Sequence, residues 1–460
     1  GYGTPKEKFK RNVAAINLLH ELEFEHRLAT PEEQEILSQY VGWGGLADAF
    51  DETKENWSEE FKELYTTLSP DEYSQARAST LTAHFTPPVV IKAMYKALSN
   101  MGFTQGNILE PSCGIGNFMG LMPPEMSESK MYGVEIDSIT GRIARQLYQK
   151  NSVAIQGYEN SELPDSFFDV AIGNVPFGDF KLLDKKYNKH NFLIHDYFFA
   201  KTLDKVRPGG VIAFITSSGT MDKRTSKVRR YIAQRADLIG AVRLPNNTFK
   251  KNAGTEVTAD ILFLQKRERM TDIMPEWVEV GEFSEGQFVN RYFLDNPDMI
   301  MGELKEVSGP FGPTLTCELN EDISLAEQLD GAIQNIHASV TEYEFDDISN
   351  DEEVTIPADP AVRNFSFTVV DGNIYFRENS IMRKVELNAT AENRVKGMIE
   401  LRDCVRTLIE YQTENYSDDE IKAQQARLNT LYDNYTKKYG LINSRGNALA
   451  FSEDSSYFLL

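Results

Sequence analysis

Cysteine is scarce in this chain: three among 460 residues, Cys113, Cys317 and Cys404, far apart, odd in number and without metal-ligand spacing. That excludes a disulfide framework and gives no zinc site, so no metal is expected and a reducing compartment, the cytoplasm, is. Long apolar runs are missing too. None approaches the roughly 18 residues of a membrane span, and no cleavable signal pattern opens the chain, so neither membrane nor secretion is supported. The first residues read as a boundary inside a longer polypeptide. Positive charge is the third deficit: 48 Lys and Arg against 70 Asp and Glu give a net −22, the wrong sign for a nucleic-acid binder. The deficit is uneven. Between residues 179 and 269 there are 19 Lys and Arg against 9 Asp and Glu, leaving 29 against 61 elsewhere. This basic stretch, with Lys185, Lys186 and Lys189, follows a candidate site in sequence, although exposed lysines also serve simply as a solvated face.

What is present is a series of strand-like apolar runs ending in polar residues. Leu109-Glu110-Pro111-Ser112-Cys113-Gly114-Ile115-Gly116-Asn117-Phe118 reads as a strand, a double-glycine turn and a helix start. Such a turn lets a ligand lie against bare backbone with N–H groups pointing at it. No Gly-Lys-Ser/Thr follows, so this is not a Walker phosphate loop. Met131-Tyr132-Gly133-Val134-Glu135-Ile136-Asp137 is a second strand closing on acids, where an α/β sheet binds ribose hydroxyls. Phe168-Asp169-Val170-Ala171-Ile172-Gly173 runs into Asn174-Val175-Pro176-Phe177-Gly178-Asp179-Phe180, a polar amide, a proline and an aromatic at a strand's C-terminal end. Ligands collect at that edge.

With Thr82-Ala83-His84-Phe85-Thr86-Pro87-Pro88 placed before them, these blocks resemble the motifs of S-adenosylmethionine-dependent N6-adenine DNA methyltransferases in the γ order. Over residues 75–270 the chain is most similar to the methylase part of large methylase–helicase proteins of conjugative elements and phages. The resemblance implies an α/β fold of the class I, Rossmann-like methyltransferase type. It implies S-adenosylmethionine held by Phe85, Thr86, Glu110, Pro111, Cys113, Gly114, Gly116, Glu135, Ile136, Tyr158 and Glu159. Asn174, Val175, Pro176 and Phe177 would be catalytic, methylating N6 of a flipped adenine in DNA. A helicase domain of the same longer polypeptide is the implied partner, and protection of an invading element from restriction the implied role.

The last block departs from the family's usual Asn-Pro-Pro-Tyr at two places. Val175 keeps a backbone carbonyl and loses rigidity; Phe177 keeps a π face, and base stacking worth about 1–3 kcal/mol tolerates either ring. Two other readings stand beside the DNA methylase: N5 methylation of a protein glutamine, whose planar amide suits the same block, and a catalytically impaired scaffold that positions a helicase neighbour. The basic stretch favours nucleic acid over protein. The loop Leu244–Thr255, with Phe249, Lys250 and Lys251, has the composition of a loop touching unstacked bases, and equally that of a surface turn with one tucked-in phenylalanine.

Three regions are expected: a helical one over 1–80, the methyltransferase domain over 81–270, and a mixed, partly helical one over 271–460. In the first, Thr30-Pro31-Glu32-Glu33 is a capping box, and Val41-Gly42-Trp43-Gly44-Gly45 breaks the helix, its tryptophan reading either as part of a substrate-facing loop or, in preference, as a packing anchor between the helical region and the core. In the second, alternating strands and helices predict a mostly parallel sheet covered on both faces. In the third, Asp371-Gly372 turns a hairpin, and 391–414 with 417–439 form a helical pair capped at Ser417.

Overall fold

The computed structural model describes residues 3–80, 86–249, 258–309, 312–341, 354–414 and 416–460. The chain divides into two compact units: Gly1–Ser161 with Phe168–Glu342, and Glu162–Phe167 with Tyr343–Leu460.

The first unit opens with helices α1 (Pro5–Phe24), α2 (Pro31–Ser38), α3 (Ser58–Thr67) and α4 (Pro70–Ser79). Three of them start the same way: Thr4, Thr30 and Ser69 each cap with a side-chain oxygen, a proline follows, and Glu7, Glu33 and Glu72 close the capping box. Proline suits this place because its absent N–H would be unpaired there anyway. These helices bury Phe9, Ile16, Leu19, Leu37 and Leu64 around Trp43, which is fully buried and meets Phe50 edge to face at 5.2 Å. Asn12, buried at the centre of α1, donates to the Gly42 carbonyl at 2.6 Å and accepts from the Val41 N–H at 2.9 Å. The glycine-flanked tryptophan is therefore a packing anchor, and Asn12 holds the start of its loop.

After α5 (Pro88–Asn100) comes the sheet, built from β1 (Asn107–Glu110), β2 (Lys130–Glu135), β3 (Ser152–Ile155), β4 (Phe168–Asn174), β5 (Val206–Ser217), β6 (Ala236–Leu244) and β7 (Ala259–Lys266). Their order is β3-β2-β1-β4-β5-β7-β6. The first five strands are parallel, and β7 runs antiparallel to both β5 and β6. The fold is thus the expected α/β, class I methyltransferase sheet. Strands β4, β5 and β7 carry apolar runs through their middles, as strands covered on both faces must. Helices α6 (Asn117–Gly120), α7 (Ser138–Leu147), α8 (Ile194–Lys205), α9 (Gly219–Asp222) and α10 (Lys227–Arg235) fill the crossovers. The parallel order reverses beside β1, and its neighbours β2 and β4 end on either side of the crevice where doubly wound sheets bind ligands.

Residues Val280–Cys317 continue the first unit. A buried Arg243 bonds Asp260 through two nitrogens, at 2.8 and 2.9 Å, and Asp222 at 2.8 Å, with Phe293 stacked on its guanidinium.

The second unit holds a four-stranded antiparallel sheet and a helical pair, Ala389–Thr413 and Asp418–Tyr439, with Ser417 and Glu420 forming the expected cap. The hairpin turn is at Asp371-Gly372, both with positive φ, 49° and 80°. Arg402, buried under the sheet, donates to the Phe367 carbonyl at 2.9 Å and pairs with Asp454.

Candidate active site

A cavity of about 660 Å³ opens at the C-terminal ends of β1, β2 and β4, within the range of small-molecule sites. It is walled by the turn after β1, the acidic end of β2, the Tyr158-Glu159 segment after β3 and the Asn174–Phe177 block after β4.

The turn is shaped by its glycines. Gly114 has φ of 57° and open space where a Cβ would stand, so a ligand can approach its backbone. Gly116, φ 90°, does not line the cavity; a Cβ there would meet the Tyr148 ring at 2.5 Å. Its glycine serves packing, which corrects the cofactor contact expected of it. Cys113 is buried, lines the cavity and has its thiol pKa pushed up by burial. Gly133, unmarked in the sequence, makes room for that thiol: a Cβ would lie 2.7 Å from Cys113 Sγ.

Two buried carboxyl groups line the cavity here. Glu135 accepts from the N–H groups of Gly114 and Asp137, each at 2.8 Å, and burial lifts its pKa to about 7. Glu110, 1% exposed, is pushed well above the usual carboxylate range by burial and by Glu135. Its Oε2 has no hydrogen-bond partner among the described residues. A buried polar atom left so is costly, and a hydrogen-bond donor carried by a ligand would satisfy it. Ile136, 67% exposed and next in chain, offers an apolar surface at the cavity wall.

Asn174 ends β4. Its side-chain nitrogen donates to Thr86 Oγ1 at 3.2 Å, which leaves Oδ1 as the available acceptor. Val175 donates its N–H to the Ile215 carbonyl at 3.1 Å and is buried, while Pro176 and Phe177 stand half-buried on the cavity wall. Tyr158 lines the cavity with its ring, but its hydroxyl is hydrogen-bonded to Thr202 Oγ1 at 2.9 Å.

Among the expected residues, Thr86, Glu110, Pro111, Cys113, Gly114, Glu135, Ile136, Tyr158, Glu159, Asn174, Val175, Pro176 and Phe177 share this one cavity. Phe85, Lys250 and Lys251 lie outside the described residues. Phe249 is 2% exposed; its ring is folded into the protein and offers no face to a base, because a lone phenylalanine in a polar loop gains more from burial. Lys185 and Lys189 are exposed and away from the cavity, and Lys186 pairs with Asp204 at 2.9 Å. Part of the basic stretch is internal: Arg229 is fully buried and holds the carbonyls of Val278, Thr220 and Lys223.

The sequence reading missed Phe180, Leu182, Ile194 and Phe198, which complete the wall beyond Asn174, and Gly42, Gln75, Ala78 and Ser79, which bring the helical region to it. It also missed Lys201, whose buried ammonium donates to the Tyr158 carbonyl at 2.7 Å and to Asp184 at 3.3 Å, with its pKa lowered to about 8 by burial. A signal existed: Lys201 is the one charge in the apolar run between Asp196 and Asp204.

Comparison with protein families matches residues 59–278 to N-6 DNA Methylase. Over that stretch, a little under half of its length, the chain is similar to the N-6 DNA methylase family. The chain also has named relatives. Defense against restriction protein B of Escherichia phage P1 is 29% identical over 261 residues, 55% of this chain and 10% of the relative. Type II methyltransferase M.CvrRI of Paramecium bursaria Chlorella virus XZ-6E is 33% identical over 93 residues, 20% of this chain and 24% of the relative. The chain thus spans a tenth of the first relative's length and about a quarter of the second's. Among solved structures, the M protein of type I restriction enzyme EcoKI superposes with a TM-score of 0.33 at 15% identity, over 57% of this chain and 62% of that one.

Proposed function

We propose that the chain is a DNA methyltransferase that places a methyl group on N6 of an extruded adenine, with S-adenosylmethionine as donor. The observation that carries this reading is the side chain of Asn174, oriented by Thr86, on the same cavity as the Gly114 turn. Asn174 Oδ1 and the Val175 carbonyl accept the two N–H groups of the exocyclic amine, which draws the nitrogen lone pair out of conjugation with the ring. Phe177 offers the ring on which the base stacks. Most of the wall is apolar, and in such a low-dielectric site these acceptors count for more than they would in water.

Bound S-adenosylmethionine supplies a methyl group already activated on sulfonium. The residues present fit it: Glu110 Oε2 is an orphaned buried acceptor suited to the amino-acid ammonium. Glu135 keeps lone pairs for a ribose diol, and Ile136 and Glu159 stand where the adenine edge would rest. Since Asn174 holds the amine by acceptance alone, no general base is required; the product ammonium can lose its proton to water. We assign the reaction to the cytoplasm and a helicase portion of the same polypeptide as partner. The three cysteines are free, and among the described residues no helix is long and apolar enough to cross a membrane.

The test is incorporation of labelled methyl into mixed DNA, followed by nucleoside analysis. N6-methyladenine is expected from the wild type. Asn174→Ala should lower kcat by about 100-fold or more, the scale for removing one transition-state contact, while cofactor affinity in calorimetry stays within about twofold. Label appearing on a protein glutamine instead of DNA would overturn the reading.

A further inference from the structure

The turn after the Asn174–Phe177 block carries an unusual combination. Leu183 is 85% exposed, yet the chain around it is firmly held. Leu182 and Phe180 line the cavity, and the Phe180 carbonyl accepts from the Ile194 N–H at 2.9 Å. On the other side, the Asp184 carboxylate accepts from the Tyr197 hydroxyl at 2.7 Å, from Lys201 at 3.3 Å and from the Lys186 N–H at 3.2 Å. The Asp184 N–H donates to Asn188 Oδ1 at 2.9 Å. An isolated exposed leucine is ordinary; one fixed at the rim of a base-sized cavity by anchored neighbours is not explained by packing.

Its surroundings are cationic. Lys181, Lys185 and Lys189 recur every four residues, all exposed, and among the described residues none of them makes an ion pair. Their neighbours behave otherwise: Lys186 is paired with Asp204 and Lys223 with Asp196. Three unpaired lysines flanking an apolar tip complement a phosphate backbone with a stacked interior.

We propose that the turn 180–189 is the base-extrusion element of this site, acting on double-stranded DNA. Leu183 enters the stack at the place vacated by the target adenine, while Lys181, Lys185 and Lys189 hold neighbouring phosphates. A base must leave its stack to be methylated, at a cost of a few kcal/mol, and apolar side chains inserted between base steps are an established means of offsetting it. This inference rests on the methylase reading and adds how the base reaches Asn174.

The experiment uses the full 460-residue chain and two duplexes carrying a site first mapped by wild-type methylation: one fully paired, one with an abasic residue opposite the target adenine. Leu183→Ala should lower kcat/KM about tenfold or more on the paired duplex and less than about twofold on the abasic one, where extrusion is already easy. Leu183→Met should restore most of the loss. Replacing the three lysines by alanine should make the plot of log affinity against log salt shallower by about 2.7, the value for three phosphates at 0.9 each. Equal loss on both duplexes, or none on either, overturns the wedge; an unchanged salt slope overturns the phosphate contacts. A wild type that methylates no DNA removes the methylase reading itself and is seen before any variant is made.

Discussion

Glu110 and Glu135 lie against the same turn, and burial raises both. For Glu135 the consequence has a definite sign. Its pKa of about 7 in the folded chain stands against about 4.3 unfolded, so between those values the folded state binds more protons than the unfolded one. Its contribution to stability is intact at the acid end and is lost as pH rises through that window. Denaturant unfolding of the ligand-free protein should therefore show stability falling from pH 5 to pH 7, and Glu135→Gln should flatten that fall. An identical pH profile for the variant would mean that Glu135 ionises normally. A positively charged ligand acts in the opposite direction, favouring ionisation of Glu110 and Glu135, so cofactor affinity should rise over the same range.

At the scale of elements, Lys201 on α8 ties two loops together: its ammonium meets the carbonyls of Tyr158, Glu159 and Ser161 and the carboxylate of Asp184. Lys201→Met removes one partner of a buried pair and should cost about 3 kcal/mol of stability, read from chemical denaturation. Because the Tyr158-Glu159 segment loses its anchor, cofactor Kd should rise as well; a variant that loses stability but binds cofactor as before would show the loop to be held by other contacts. Much at this scale was legible in sequence, since local chemistry decides it. Thr30 with Glu33 specified a helix start, and Asp371-Gly372 specified a turn needing positive φ at two residues. The site blocks were legible because strand ends carry the chemistry in such sheets. What could not be read was direction and depth. The placement of β7 between β5 and β6 depends on pairing over long separations, and no local pattern says that Phe249 points inward or that Gly116 faces Tyr148 instead of a ligand.

At the scale of the molecule, the chain's division is not a single cut. The second unit takes its residues from two places: Tyr343–Leu460 and the short run Glu162–Phe167, which leaves the first unit after Ser161 and returns at Phe168, the first residue of β4. Within that unit, Arg363 pairs with Glu162 at 2.8 Å, and Leu163 and Phe167 are buried. A fragment ending at residue 342 keeps every cavity residue yet deprives Leu163 and Phe167 of the unit they belong to. Such a fragment should melt lower and methylate more slowly than the full chain, in calorimetry and labelling; equal behaviour would show the short run to be dispensable.

The strand that delivers Asn174 is thus threaded from a borrowed hexapeptide. A proteolytic cut within Glu162–Phe167 would therefore free the N-terminal end of the very strand whose last residue is Asn174, although no residue of the cavity itself had been touched.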